Sequence, residues 1–157
     1  MKKIEAGNYL WIALSTICAA VYFYIVYRFS VNVPMDDDFP TLQNFLVRFV
    51  QSEDTGTKIS LLFESGNMHR LLWMRLMVLL VYALCGTLNY SIYAFITSIF
   101  LLGTGVLLCW VIRKSTMKGV LMLIAFLLLF NGQNLGNSLF VMSGIANIGS
   151  VFITLLS

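Results

Sequence analysis

The sequence predicts an all-α, polytopic transmembrane helical bundle, and three observations predict it. Hydrophobic residues make up 59% of the 157-residue chain and charged residues only 11%, against roughly 25% charged in a soluble domain. The apolar residues also come in long uniform runs, which suit a bilayer rather than a water-facing surface. Finally, the last 39 residues, Gly119 to Ser157, carry no charge at all.

Each element follows from that solvent. Tyr9 to Tyr27 is a charge-free run of 19 residues edged with Tyr and Trp, close to the ~20 residues that cross the hydrocarbon. It is longer than a signal-peptide apolar region, and no A-x-A-like site follows it. Residues 28–70 form the outer loop, which holds every acidic residue except Glu5. Within it Leu42, Phe45, Leu46, Phe49 and Val50 recur at helical spacing, so residues 40–51 predict a short amphipathic helix on the membrane surface, capped by Asp38 or Thr41. The next apolar stretch, about 70–86, contains Arg75 and is short for a span; it reads as a re-entrant or interface-lying helix on the outer side. Helices at about 91–112, 117–131 and 138–156 complete about four spans in a single membrane domain, 1–157. With Lys2 and Lys3 inside, the basic turn Arg113, Lys114 and Lys118 also falls inside by the positive-inside rule. Both termini are then cytoplasmic, and the acidic loop and "NGQNLGN" lie outside.

Cys18, Cys85 and Cys109 sit in apolar segments and are odd in number, so no disulfide is expected. One histidine and no Cys/His cluster leave zinc and haem without a ligand set. The net charge of +3 comes from basic residues at membrane edges, which argues against a nucleic-acid partner.

Candidate chemistry concentrates in three patches. Asp36, Asp37 and Asp38 can act as general base on a hydroxyl or hold a divalent cation through oxygen; equally, they can be a solvated loop with a helix cap. His69, Arg70 and Arg75, with Asn67 beside them, can cradle a lipid-borne phosphate, since guanidinium offers a fork of donors; basic residues at a helix end also snorkel to headgroups. Gln133 and Asn134, within Asn131 to Asn137, can hydrogen-bond a sugar, or form a polar turn around Gly132 and Gly136. Ser143, Ala146, Asn147 and Ser150 make a small polar face suited to another helix, so a homo-oligomer or a partner membrane subunit fits.

The order of a first helix, "PMDDDF", an amphipathic helix, "NMHRLLWMRL", a helix, an RK turn, a helix and "NGQNLGN" resembles the N-terminal part of bacterial polytopic glycosyltransferases of the GT-C class. Asp37, Asp38 and Phe39 match that class's Asp-Asp-aromatic motif. Asn67, His69 and Arg70 match its Asn-Glu-His-Arg motif, with Met68 where the motif has glutamate, and Gln133 and Asn134 loosely match its Asn-rich stretch. The class usually has many more helices. The resemblance implies transfer of a sugar from a polyprenyl-phosphate carrier to an acceptor on the outer face of the bacterial inner membrane. It also implies a loop aspartate (Asp37 or Asp38) as base, cationic groups on the leaving phosphate, and membrane lipid as surroundings. The alternative is a non-catalytic accessory subunit or small transporter component, which the short chain and Met68 favour.

Overall fold

The computed structural model describes residues 6–35, 38–66, 69–70 and 72–157. Helix α1 (Ala6–Phe29) is followed by a π-helical turn, Phe39–Gln43, that leads directly into α2 (Asn44–Gln51) and then α3 (Thr55–Phe63). A minimal antiparallel ladder pairs β1 (Ser65–Gly66) with β2 (His69–Arg70). Then come α4 (Leu72–Cys85), α5 (Tyr90–Ile112), α6 (Lys118–Leu129), α7 (Gly132–Leu139) and α8 (Val141–Leu156). The middle of α8, Gly144–Gly149, is π-helical.

Two helices, α1 from Tyr9 and α5, are long and apolar enough to cross a membrane. The pair α6 and α7, bent by 48° at the break between them, qualifies as a third. Both α4 and α8 are apolar but shorter. The fold is thus a helical membrane-type bundle with two to three candidate spans.

Polar side chains finish the helices where the backbone runs out of partners, because each end leaves N–H or C=O groups unsatisfied. Asn89 Oδ1 accepts from the Ile92 N–H at 3.2 Å, and Asn32 Oδ1 from the Tyr90 N–H at 2.8 Å, so the start of α5 is tied to the segment after α1. Gly86, at φ 72°, ends α4 in the left-handed conformation that glycine adopts without strain. Asn131 serves two helices: its Oδ1 accepts from Asn134 N–H at 2.9 Å, and its Nδ2 donates to Leu128 C=O at 2.7 Å.

Two apolar cores result. The first joins Leu42, Phe45 and Leu46 to Met74, Val78 and Val81 of α4, Tyr93 of α5 and Ile145 of α8. The second joins Tyr22 and Val26 of α1 to Leu101, Phe126 and Ile148. Here α1 packs chiefly on α6, and the two helices meet closely where Trp11 lies over Gly119.

Several expectations are corrected. The amphipathic segment has part of its apolar face covered by protein, since Leu42, Phe45 and Leu46 are buried against α4 and α5, while Phe49 is half-buried and Val50 exposed. Neither Asp38 nor Thr41 caps it by a side-chain hydrogen bond. Residues 131–137 are not a turn: Gly132 and Gly136 belong to α7, and Ser138, expected to open the last helix, lies near the end of α7 instead. That last helix starts at Val141, after the chain breaks at Phe140. The Asn131 cap explains the shift, because it starts a helix where the sequence shows mostly polar residues and glycine.

Helix α3 was not legible as a helix, yet it is well capped. Asp54 Oδ2 accepts from both the N–H and the hydroxyl of Thr57 at 2.7 Å. The Thr57 hydroxyl, then the Thr57 and Gly56 N–H groups, hold the exposed Asp54 carboxyl below its ordinary range. A carboxyl with a depressed folded value stabilises above the unfolded pKa of about 4 and loses that contribution as pH falls through the folded value. Acidification below about pH 4 should therefore loosen α3 selectively. In hydrogen exchange across pH, Asp54→Asn, whose amide caps without titrating, should remove that loosening; an identical acid response in both proteins would refute the cap.

The second prediction concerns glycine. A Cβ on Gly144 would lie 2.5 Å from the Asn137 carbonyl oxygen, a backbone atom that cannot easily give way. Nothing lies within 4 Å of one on Gly136. In detergent, Gly144→Ala should lose roughly 1–3 kcal/mol by overpacking. Gly136→Ala should gain roughly 0.5–1 kcal/mol by helix propensity, both read from melting shifts.

Candidate functional site

Asp38 stands where the outer loop turns into the bundle. It opens the π-helical turn ahead of α2, and it is only 1% exposed. One carboxylate oxygen accepts from the Met142 N–H at 2.8 Å and the other from the Met35 N–H at 3.2 Å. Met142 lies in the first turn of α8, where N–H groups have no intrahelical acceptor and the helix dipole favours an anion. Asp38 therefore caps a helix 104 residues away in sequence, rather than the one beside it.

The hydroxyl of Tyr90, at the start of α5, is within electrostatic reach of Asp38. It is buried and makes no hydrogen bond among the described residues. Tyr90 also stands edge-on to Tyr93, whose hydroxyl donates to the Val78 carbonyl of α4 at 3.3 Å. A carboxylate and two phenols thus occupy the junction of loop, α4, α5 and α8.

Arg75 occupies another corner of the same core and is 5% exposed. Its Nη1 donates to the carbonyls of Leu62 (3.2 Å) and Glu64, at the C-terminal end of α3, where a cation complements the helix dipole. The guanidinium carbon lies 5.2 Å from the Phe45 ring centroid. Its Nε is buried without a hydrogen-bond partner among the described residues. Burial pushes the guanidinium below its ordinary value, Glu64 opposes that, and Arg48 adds to it. Arg48 and Glu64 form an ion pair of 2.9 Å nearby.

The remaining candidates fall differently. Asp36, Asp37 and Asn67 lie outside the described residues, as do the side chains of His69 and Arg70, whose backbone forms β2. Gln133 is exposed on α7. The Asn134 Nδ2 donates to the Leu129 carbonyl at 2.8 Å, and the Asn134 carbonyl accepts from the Tyr22 hydroxyl at 2.7 Å. Asn134 also borders a cleft of 220 Å³ with Asn137, Asn147 and Thr104.

Asp38 and Arg75 therefore share the first core, while Asn134 bonds to residues that frame the second. Among the described residues no three His, Cys, Asp or Glu side chains could hold a metal ion together. The divalent-cation expectation rests on Asp36 and Asp37 beside an Asp38 that already accepts two N–H groups.

Sequence reasoning missed Tyr90, Asn32 and the Met142 amide. For Tyr90 a faint signal existed, since a tyrosine following Asn89 at the head of an apolar run marks a capped helix start. For the α8 amide there was none, because the break at Phe140 is not written in any turn residue. No family model, curated protein or solved structure matches the chain.

Asp38→Asn tests the cap. The amide keeps the volume but presents one acceptor oxygen to two N–H donors, leaving one unsatisfied at roughly 1–3 kcal/mol. The variant should melt lower in detergent and lose hydrogen-exchange protection at Met142. An unchanged melting point would mean that the carboxylate does not hold α8.

Proposed function

We propose that the chain is a GT-C-like membrane glycosyltransferase, or a part of one, that takes a sugar from a polyprenyl-phosphate carrier at the outer face of the bacterial inner membrane. The observation that carries this reading is the burial of Asp38. Asp38, the last acid of the run, is folded into the protein at the loop-bundle junction, which removes for that residue the simplest alternative, a solvated acidic loop.

In this reading α1, α5, the bent pair α6 and α7, and α8 make four spans. Both termini and the basic turn are cytoplasmic, and α4 stays on the outer side. The acceptor hydroxyl oxygen bonds to the anomeric carbon as the bond from that carbon to the phosphate oxygen breaks. The phosphate leaves on the lipid, and the hydroxyl proton passes to a carboxylate. With Asp38 accepting two backbone N–H groups, Asp37 is the better base. His69 and Arg70 hold the leaving phosphate. Asn67, Gln133 and Asn134 meet the sugar, and Arg75 positions the loop from beneath.

The second reading, a non-catalytic accessory subunit, is favoured by one observation: Asp38 and Arg75 both spend hydrogen bonds on backbone groups. The two readings separate on purified protein supplied with a polyprenyl-phosphate sugar and an acceptor. Catalysis predicts transfer, with Asp37→Asn slower by about 10²- to 10⁴-fold at an unchanged melting point. Transfer that survives Asp37→Asn at full rate would remove Asp37 from the chemistry, and no transfer by the wild-type protein would favour the accessory role.

A further inference from the structure

The far end of α5 carries a groove that the proposed chemistry does not use. It measures 240 Å³ and runs between α1, α5 and α6, with Ile12, Cys109 and Met122 on its walls and Arg113 and Lys118 among its lining residues. Arg113 is held in place, its guanidinium carbon 4.3 Å from the Trp110 ring centroid. Among the described residues no carboxylate pairs with Arg113 or Lys118, and every acidic residue of the sequence except Glu5 lies within residues 36–64. Two cations and an apolar trough therefore adjoin, with no described counter-charge.

The groove depends on a close helix contact. Gly119 lines it, and a Cβ there would meet the Trp11 ring at under 3 Å, so glycine lets α1 approach the start of α6. That start also lacks a side-chain cap, leaving first-turn N–H groups that add to the positive potential beside Lys118.

From this juxtaposition we infer that the groove is a binding site for an anionic phospholipid. The headgroup phosphate rests on Arg113 and Lys118, and acyl methylenes lie against Ile12, Cys109 and Met122. Charge complementarity selects the occupant: a zwitterionic lipid brings its own ammonium and gains little from two cations, while a soluble anion leaves the apolar walls empty. Lys114, on the same turn but outside the lining, distinguishes a site from a diffuse basic patch.

The test uses the full chain in phosphatidylcholine vesicles, with a minor fraction of brominated phosphatidylglycerol or, in parallel, brominated phosphatidylcholine. Trp11 and Trp110 both lie by the groove, so bromine held there quenches tryptophan fluorescence. Brominated phosphatidylglycerol should quench more than brominated phosphatidylcholine at equal fraction. Arg113→Gln and Lys118→Gln should each weaken that preference roughly five-fold, whereas Lys114→Gln should leave it unchanged. Equal quenching by the two lipids would overturn the inference, as would an equal loss in Lys114→Gln. Relief of quenching by inorganic phosphate would also overturn it, by assigning the cations to a soluble anion.

Discussion

The bond from the Met142 N–H to Asp38 is the contact on which the arrangement of this chain turns. It joins the loop after α1 to the beginning of the last helix, across 104 residues of sequence. Where water is scarce, every helix start needs an acceptor, because an unsatisfied N–H costs several kcal/mol. Helix α8 begins abruptly after Phe140, with no side-chain cap from that residue. Asp38 supplies an acceptor from outside, and in doing so it holds the π-helical turn and α2 over the same core.

Arg75 mirrors that logic at the opposite pole of a helix. Its Nη1 meets the terminal carbonyls of α3, so a cation sits at a helix C-terminus while an anion sits at a helix N-terminus. Both charges are nearly fully buried. Burial of either ion alone would be costly, and backbone dipoles offset that cost locally. The loop between α1 and α5 is consequently part of the bundle: removing either charge would release a helix end as well as a side chain.

How much of this was legible depends on what kind of signal each part leaves. The long spans were legible, because an uncharged run near 20 residues has few other meanings; α5 begins within a residue of its expected start. The amphipathic segment was legible in its periodicity but not in what covers it, since Leu42, Phe45 and Leu46 would look the same against lipid or against α4. Asn131 to Asn137 misled because polar, glycine-containing stretches usually turn, whereas the Asn131 cap makes this one helical. At the candidate site Asp38 was legible as one acid of a run, but its partner was not. A backbone N–H has no letter in the sequence, and Met142 is named there only as an apolar residue. Arg75 was read as facing a phosphate because its charge was visible and the carbonyls of Leu62 and Glu64 were not.

The choice of side chains at the helix starts carries one further step. Asn32, Asn89 and Asn131 cap with neutral amides at positions that are exposed or half-buried. Two carboxylates play comparable roles, Asp54 at the exposed start of α3 and Asp38, the most deeply buried of these groups. Desolvation alone would favour the reverse, with the charge outside and the amide within. The number of donors decides otherwise: the Met142 and Met35 N–H groups each take one carboxylate oxygen, and an amide there would leave one of them unsatisfied. What the caps leave unaccounted for is the Tyr90 hydroxyl, buried in the field of that carboxylate with no hydrogen-bond partner among the described residues.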